Sequence, residues 1–364
     1  MLRIIHAADF HLDSAFGGLP TEKSRERRRE SRELADRLAD LAAAEHTDIV
    51  LLSGDLFDGE RVYPETLERL QSALARMGCP VFISPGNHDP YTSRSPYKTV
   101  SWPENVYIFR RPALTAVALP ELGCVVHGAA FTAPERTDQV LEDFTAPEDG
   151  LIHLLCLHGD VLSADSRYGP ITREQIARCG VDYLALGHIH QCSGLQRQGA
   201  TCWAYPGCPE GRGFDELGDK GVLVGSVDRA GTDLHFVPLC RRRYRILEAD
   251  VTGCSPREAL EAVTPETASE DICRVVFTGE ADERGVDLPA LESAYSDRFY
   301  ALELRDKTRP AQSLWDRAGE DSLRGLFLQS MRSRYDAAPD ASAREEIALA
   351  VRFGLAALDG RDIG

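Results

Sequence analysis

Short apolar runs rich in Val, Ile and Leu alternate with amphipathic stretches through the first 240 or so residues, a pattern that predicts buried strands linked by helices in a layered α/β domain. Strands are expected at Leu2 to Ala8, Asp48 to Ser53, Pro80 to Ser84, Leu151 to Leu157 and Tyr183 to Leu186. Between the first two, Leu34, Leu38 and Leu41 make one apolar stripe on a helix of roughly twenty residues. Further strands near Val125, Val222 and Phe236 predict a second sheet packed on the first. The chain carries no internal repeat and no low-complexity segment.

After the basic run Arg241 to Arg245 the pattern restarts as strand, helix, strand, helix, strand, ending near Lys307. Ser255, Pro256 and Glu258 form a capping box with proline at the first helical position. Past Pro310, two helical patterns, Asp321 to Tyr335 and Ser342 to Leu358, are joined by a turn over Asp336 to Ala341; Ser342 and Glu345 supply a second box. Leu323, Phe327 and Met331, with Leu326 beside them, stripe the first helix; Ile347, Val351 and Leu355, flanked by Phe353 and Leu358, stripe the second. Leu328, Leu349 and Phe353 leave apolar surface that either the protein's own body or a partner must cover. The expected architecture is a two-sheet α/β sandwich flanked by helices (residues 1–245), a small α+β capping domain (246–308) and a helical hairpin (309–364).

Composition narrows the class. A chain of 364 residues, 43% hydrophobic and 27% charged, can bury a full core. No apolar run approaches bilayer length, and MLRIIHAADFHLD lacks the basic flank and cleavage site of a signal peptide, so the cytoplasm is the expected compartment. Ten cysteines without a C-x-x-C pair argue against a zinc ribbon or disulfide framework. The net charge of −17 opposes non-specific binding to nucleic acid unless positive charge is gathered locally. Residues 246–364 hold 24 acidic against 14 basic side chains, so a phosphate site is better sought in the first part. The arginines from Arg25 to Arg32 alternate with Glu22, Glu26, Glu30 and Glu33, as on a solvated helix face with i to i+4 pairs.

Five polar clusters each follow a predicted strand: Asp9-Phe10-His11, Gly54-Asp55, Gly86-Asn87-His88-Asp89, His158-Gly159 and Gly187-His188-Ile189-His190. In an open α/β sheet the crevice beyond the carboxyl ends of the strands binds ligands, so the five converge on one site. That many carboxylate and imidazole groups imply two divalent metals of the Mn²⁺, Fe²⁺ or Zn²⁺ kind. Two ions about 3.5 to 4 Å apart can share a bridging carboxylate and activate water for in-line attack on phosphorus. Gly54, Gly86 and Gly187 are expected to turn the backbone sharply off each strand. His6, His46, His127, His153 and His235 lie within strands or on a helix and read as structural histidines.

The ordered set D-x-H, G-D, G-N-H-D, H, G-H-x-H resembles the calcineurin-like metallophosphoesterase family over residues 1 to about 240. The resemblance implies that Asp9, His11 and His190 hold one metal, that Asn87, His158 and His188 hold the other, and that Asp55 bridges them. It gives His88 a catalytic place over the phosphate, as donor of a proton to the leaving oxygen. IHAADFHLDS, SGDLFD, SPGNHDP, DYLALGHIH and YPGCPEGRGFDELGDKGV are similar to SbcD-type exonucleases and their YhaO-like relatives. That branch implies a DNA exonuclease with endonuclease capacity, acting in DNA repair, with Mn²⁺ foremost and Mg²⁺ also compatible. It further implies an SMC-like ATPase partner of SbcC or YhaN type, gripped by helices after the capping domain, and a homodimer. The glycine-rich loop from Tyr205 to Gly221, with Arg212 and Lys220, together with Arg241, Arg242 and Arg243, is where a phosphate backbone would be contacted. Two rival functions stay open: a phosphatase or phosphodiesterase of small esters, and a recruitment subunit without catalysis.

Overall fold

The first strand, β1 (Leu2–Ala7), leads to two helices, α1 (Thr21–Arg32) and α2 (Leu34–Ala44), then to β2 (Ile49–Leu52), α3 (Pro64–Met77), β3 (Val81–Ile83), a short α4 (Pro96–Thr99) and β4 (Val106–Ile108). These four strands pair in parallel in chain order. The chain next builds β5 (Thr115–Leu119), β6 (Cys124–Gly128), β7 (Ile152–His158), α5 (Arg173–Arg178), β8 (Tyr183–Gly187), β9 (Gln196–Gln198) and β10 (Thr201–Ala204). They form a second sheet in the order β5-β6-β7-β8-β10-β9 with a parallel centre. The hairpin β11 (Gly221–Asp228) and β12 (Gly231–Pro238) returns to the first sheet, where β11 runs antiparallel to β1. Val222 and Phe236, expected in the second sheet, therefore belong to the first, because strand alternation does not say which sheet edge a hairpin joins. This computed structural model describes residues 1–282 and 285–360; residues 283–284 of the expected capping segment and 361–364 of the expected tail lie outside the described residues.

The layering follows from side-chain alternation. β2 reads IVLL and is buried on both faces. Ile49 and Leu51 enter a cluster between the sheets with Ile4, Phe82, Leu154 and Tyr183, while Val50 and Leu52 pack with Leu34, Leu38, Leu70 and Leu74 of the covering helices. Leu155, Leu157, Leu184 and Leu186 pack with Ile176 of α5 on the far side. The result is the expected layered sandwich. The single long helix expected before β2 is instead α1 and α2, interrupted at Glu33, where the Arg37 guanidinium Nη2 donates to the Glu30 carbonyl (3.3 Å).

The chain divides into two units, Met1–Arg243 and Tyr244–Gly364. In the second, β13 (Tyr244–Asp250), α6 (Pro256–Val263), β14 (Ile272–Thr278), the two-residue β15 (Glu280–Ala281), α7 (Leu288–Tyr295) and β16 (Ala301–Asp306) give a parallel sheet β13-β14-β16, and β17 (Arg309–Pro310) pairs with β15. The Ser255–Glu258 capping box opens α6. Three helices follow: α8 (Gln312–Asp316), α9 (Leu323–Asp336) and α10 (Ala341–Leu358). Asp340, not Ser342, caps α10 by accepting from the Ala343 N–H (2.9 Å). The buried face of α9 is also shifted from the expected stripe. Leu328 and Met331 pack with Leu314, Trp315, Val351 and Leu355, while Leu323 and Leu326 stay exposed. Gly325 is a close-approach position, where a Cβ would lie 2.0 Å from the Glu320 carbonyl oxygen.

Candidate metal centre

All five polar clusters sit where parallel strands end. Asp9 and His11 follow β1, Asp55 follows β2, Asn87 and His88 follow β3, His158 closes β7, and His188 and His190 follow β8. The segments stay hydrogen-bonded beyond the strands: Asp9 N–H donates to the Gly54 carbonyl (3.0 Å) and His11 N–H to the Asp55 carbonyl (2.9 Å). Asp9, His11, Asp55 and His188 all have positive φ, between 42° and 113°. Each such residue costs about 1–3 kcal/mol, and the surrounding bonds must hold it there.

Of the three glycines, Gly54 turns as expected, with φ 90°. Gly86 and Gly187 have a different reason. A Cβ on Gly86 would lie 2.2 Å from Asp55 Oδ1, and one on Gly187 would lie 1.8 Å from the Ser53 carbonyl oxygen. They are close-approach positions where a neighbouring segment passes.

Three overlapping groups emerge among the described residues, Asp9–His11–His190, Asp9–Asp55–His158 and, toward the open side, His11–Asp58–His88, with the ligand atoms of each within 4.8 Å of one another. Asp55 Oδ2 is 3.7 Å from His11 Nε2 and 3.5 Å from His158 Nε2. Asn87 Oδ1 is 2.9 Å from His158 Nε2, and the His188 ring centre is 5.3 Å from that of His158.

The hydrogen bonds behind the rings decide what the rings present. His11 Nδ1 faces Asp58 Oδ1 (3.1 Å), His190 Nδ1 faces Glu216 Oε1 (2.6 Å), and His158 Nδ1 faces the Ser53 carbonyl (2.9 Å). All three partners are acceptors, so each Nδ1 carries the proton and each Nε2 offers a lone pair. The lone pairs of His11 and His190 then meet at 3.2 Å, and that of His158 meets the oxygens of Asn87 and Asp55. Acceptors converging on acceptors fit cations between them. Burial moves the imidazoles toward the neutral, ligand form: His11 is pushed down to about 3, His158 and His188 to about 4. It acts oppositely on the carboxyls. Burial, with the neighbouring charge of Asp55, raises Asp9 well above the ordinary value, and burial with the charge of Asp89 raises Asp55 to about 7. A neutral-imidazole and carboxylate set of this kind suits divalent cations.

Asp58, Glu216 and Asp89 take part although the sequence assigned them no role. Asp89 accepts from the N–H groups of Leu56, Phe57 and Gly86 and from the Tyr97 hydroxyl, tying the segments after β2 and β3 together. Glu216 is held below the usual carboxylate range, against the cost of burial, by hydrogen bonds from His190 and Arg212. The final Asp of SGDLFD and the Glu of GFDELGD were on view in the motifs; what hid them was the lack of a partner until the chain folds.

The expected phosphate contacts separate. Arg212 reaches the centre, with Nη2 donating to Glu216 (2.9 Å) and Nη1 3.5 Å from Asp58. Lys220 is buried and its Nζ donates to the His190 carbonyl (3.3 Å). Arg241 pairs with Glu30 and Glu33, and Arg243 with Asp219. Arg242 is buried on Glu30 (2.6 Å), so its guanidinium serves the fold and presents no face to a phosphate backbone. Fully buried Arg27 joins the same cluster through Glu30 (2.9 Å) and Glu210 (2.7 Å), so Arg27 and Glu30 depart from the expected solvated face of α1, on which Glu22, Arg25 and Arg29 do lie exposed. His6 bonds to Tyr183, and His127 to His153, as structural histidines. All ten cysteines are free, and among the described residues no helix is long and apolar enough to cross a membrane.

Comparison with known proteins agrees with this geometry. The sequence profile of the family described as calcineurin-like phosphoesterase matches residues 2–192. The chain is 29% identical to the uncharacterized metallophosphoesterase YhaO of Bacillus subtilis, over 86% of this chain and 83% of that one. It is 24% identical to the DNA double-strand break repair protein Mre11 of Methanopyrus kandleri, over 100% of this chain and 85% of that one. With the protein of the same description from Aeropyrum pernix the identity is 26%, over 69% and 64% respectively.

Proposed function

Because the chain belongs to the calcineurin-like phosphoesterase family, we propose that it hydrolyses phosphodiester bonds in DNA, as an exonuclease with endonuclease capacity. The observation that carries this is the place of Asp55, a buried carboxylate between the His11 and His158 imidazoles, each with its lone pair turned inward. Asp9, His11 and His190 would hold one divalent cation, Asn87, His158 and His188 a second, and Asp55 both. Bound there, the pair would neutralise phosphate charge and activate a water for in-line attack. Mn²⁺ is the proposed ion. DNA as substrate, and repair as its setting, draw support from the two Mre11 proteins, one of which aligns with the whole chain.

His88 lies at the open side of the centre. Its backbone N–H donates to Asp55 (2.9 Å), its ring centre is 4.7 Å from that of His11, and its side chain is 46% exposed. From there it would contact the phosphate and protonate the leaving oxygen. His88→Ala is expected to keep both metals while DNA cleavage falls by about 10² or more. Metal content falling in step with activity would make His88 a ligand instead.

The test of the function is cleavage by the Mn²⁺-loaded protein of end-labelled single- and double-stranded DNA, beside p-nitrophenyl phosphate and its bis ester. Strong monoester turnover without DNA cleavage would replace the proposal with a small-ester phosphatase.

In the cytoplasm, the proposed partner is an SMC-like ATPase. Its docking site would be the hairpin surface bearing Leu323 and Leu326 on α9 and Leu349 and Phe353 on α10, which are 45–70% exposed. Leu326→Glu with Phe353→Glu is expected to abolish co-purification with the ATPase while leaving bis-p-nitrophenyl phosphate turnover unchanged. Undiminished co-purification would put the contact elsewhere.

A further inference from the structure

The supports behind the metal-binding rings are not alike. His11 and His190 each lean on a carboxylate, Asp58 and Glu216, and one side chain lies between those carboxylates. Arg212 donates through Nη2 to Glu216 Oε1 (2.9 Å) and places Nη1 3.5 Å from Asp58 Oδ1. Its backbone N–H also donates to Glu216 Oε2 (2.7 Å), so both oxygens of Glu216 are fixed. Glu216 itself is 5% exposed. Arg212 Nη2 also lies 3.1 Å from His190 Nδ1, but Glu216 at 2.6 Å takes that proton, so this is packing between two donors. On the other side of Asp55, His158 leans on the Ser53 backbone carbonyl, and His188 packs against the rings of His158 and Tyr168. Among the described residues, no carboxylate accepts from His158 Nδ1, which faces the Ser53 carbonyl instead.

We infer that Glu216 is a positioning residue which, with Arg212 and Asp58, makes the cation position of Asp9, His11 and His190 depend on carboxylate support from the loop from Tyr205 to Gly221. That loop reaches the His158 segment only through the Tyr205 hydroxyl, which donates to the Gly159 carbonyl (2.7 Å) and accepts the Val161 N–H (3.1 Å), and it lends the His158 ring no carboxylate. This rests on the two-cation reading above. A carboxylate accepting the imidazole Nδ1–H raises the basicity of Nε2 and fixes the ring's direction; a backbone carbonyl does so more weakly, and loss of such a support costs about 10–100-fold in metal affinity. Arg212 offsets the charge of two carboxylates, buried Glu216 and the more exposed Asp58, that would otherwise repel each other. The two cations are then held unequally, and the one nearer the loop is lost first.

The experiment is calorimetric titration of Mn²⁺ into the metal-free full-length protein, with circular dichroism as the check on fold. Wild type is expected to take up two ions. Glu216→Ala is expected to keep one at wild-type affinity and to bind the other about 10–100-fold more weakly. Glu216→Gln keeps the size and an acceptor oxygen, so it should recover part of the loss and answers the question if the alanine variant does not fold. Raising Mn²⁺ should restore turnover of bis-p-nitrophenyl phosphate by Glu216→Ala, which a simple packing defect would not allow. Two ions bound at wild-type affinity by both variants, or both ions weakened equally, overturns this inference alone. A wild type that binds no pair of ions overturns the reading beneath it.

Discussion

Asp55→Ala is expected to abolish turnover of bis-p-nitrophenyl phosphate and to leave the protein unable to retain two Mn²⁺ ions. The residue is 1% exposed, and its two oxygens do different work: Oδ2 faces the His11 and His158 imidazoles, and Oδ1 accepts the His88 N–H. Without it, two cations about 3.5 to 4 Å apart would repel each other with no shared anion between them. The His88 N–H would lose its acceptor, and with it the backbone position that carries the proposed acid. Neither Asp9 nor Asn87 can substitute, since Asp9 is committed to the His188 N–H (3.1 Å) and Asn87 brings no charge. Elemental analysis beside the turnover assay checks the prediction. Two retained metals with near-normal activity would remove Asp55 from the bridging role.

The second large effect should come from a residue with no functional group. Gly187→Ala would set a Cβ 1.8 Å from the Ser53 carbonyl oxygen and 3.0 Å from the Ala8 Cβ, and neither the strand end nor the β2 exit can yield separately. That carbonyl also accepts the His158 Nδ1–H, and the Ser53 hydroxyl donates to the Ala185 carbonyl (3.1 Å), so this is where the two sheets are joined. Overpacking of this kind costs typically about 1–3 kcal/mol, and a backbone clash lies at the upper end. For a unit of this size about 3 kcal/mol lowers Tm by roughly 6–12 °C. Calorimetry of the metal-free protein is the measurement. A shift under about 2 °C would mean that the sheets are less closely joined than the geometry requires.

Much of the centre was legible because its chemistry is local. Asp9-Phe10-His11 and Gly187-His188-Ile189-His190 are dense in ligand groups and directly follow apolar runs, so strand ends and candidate ligands are found together. What was not legible depends on distant partners. Asp58 and Glu216 look like ordinary acids until His11 and His190 fold against them. Arg27 and Arg242 look like surface charge until Glu30 and Glu210 meet them inside the protein. The α9 stripe was misplaced because its buried face is chosen by Leu314, Trp315, Val351 and Leu355 on the neighbouring helices, which helical periodicity alone does not carry. The positive φ of Asp9, His11, Asp55 and His188 has no composition signal, since these residue types are common elsewhere.

The seat of β1 in the first sheet has a consequence for the protein's birth. β1 is clasped between β2 and β11, and Leu2 is paired with Val227. A ribosome adding about 5–20 residues per second therefore spends roughly 10 to 45 s between making the two partners. A nascent chain that paired β1 to β4 in that interval would leave one side of β1 without its partner, an edge of the sort on which other chains assemble. His6, Ile4 and Leu2 on that edge become safe only when residues 221–228 emerge.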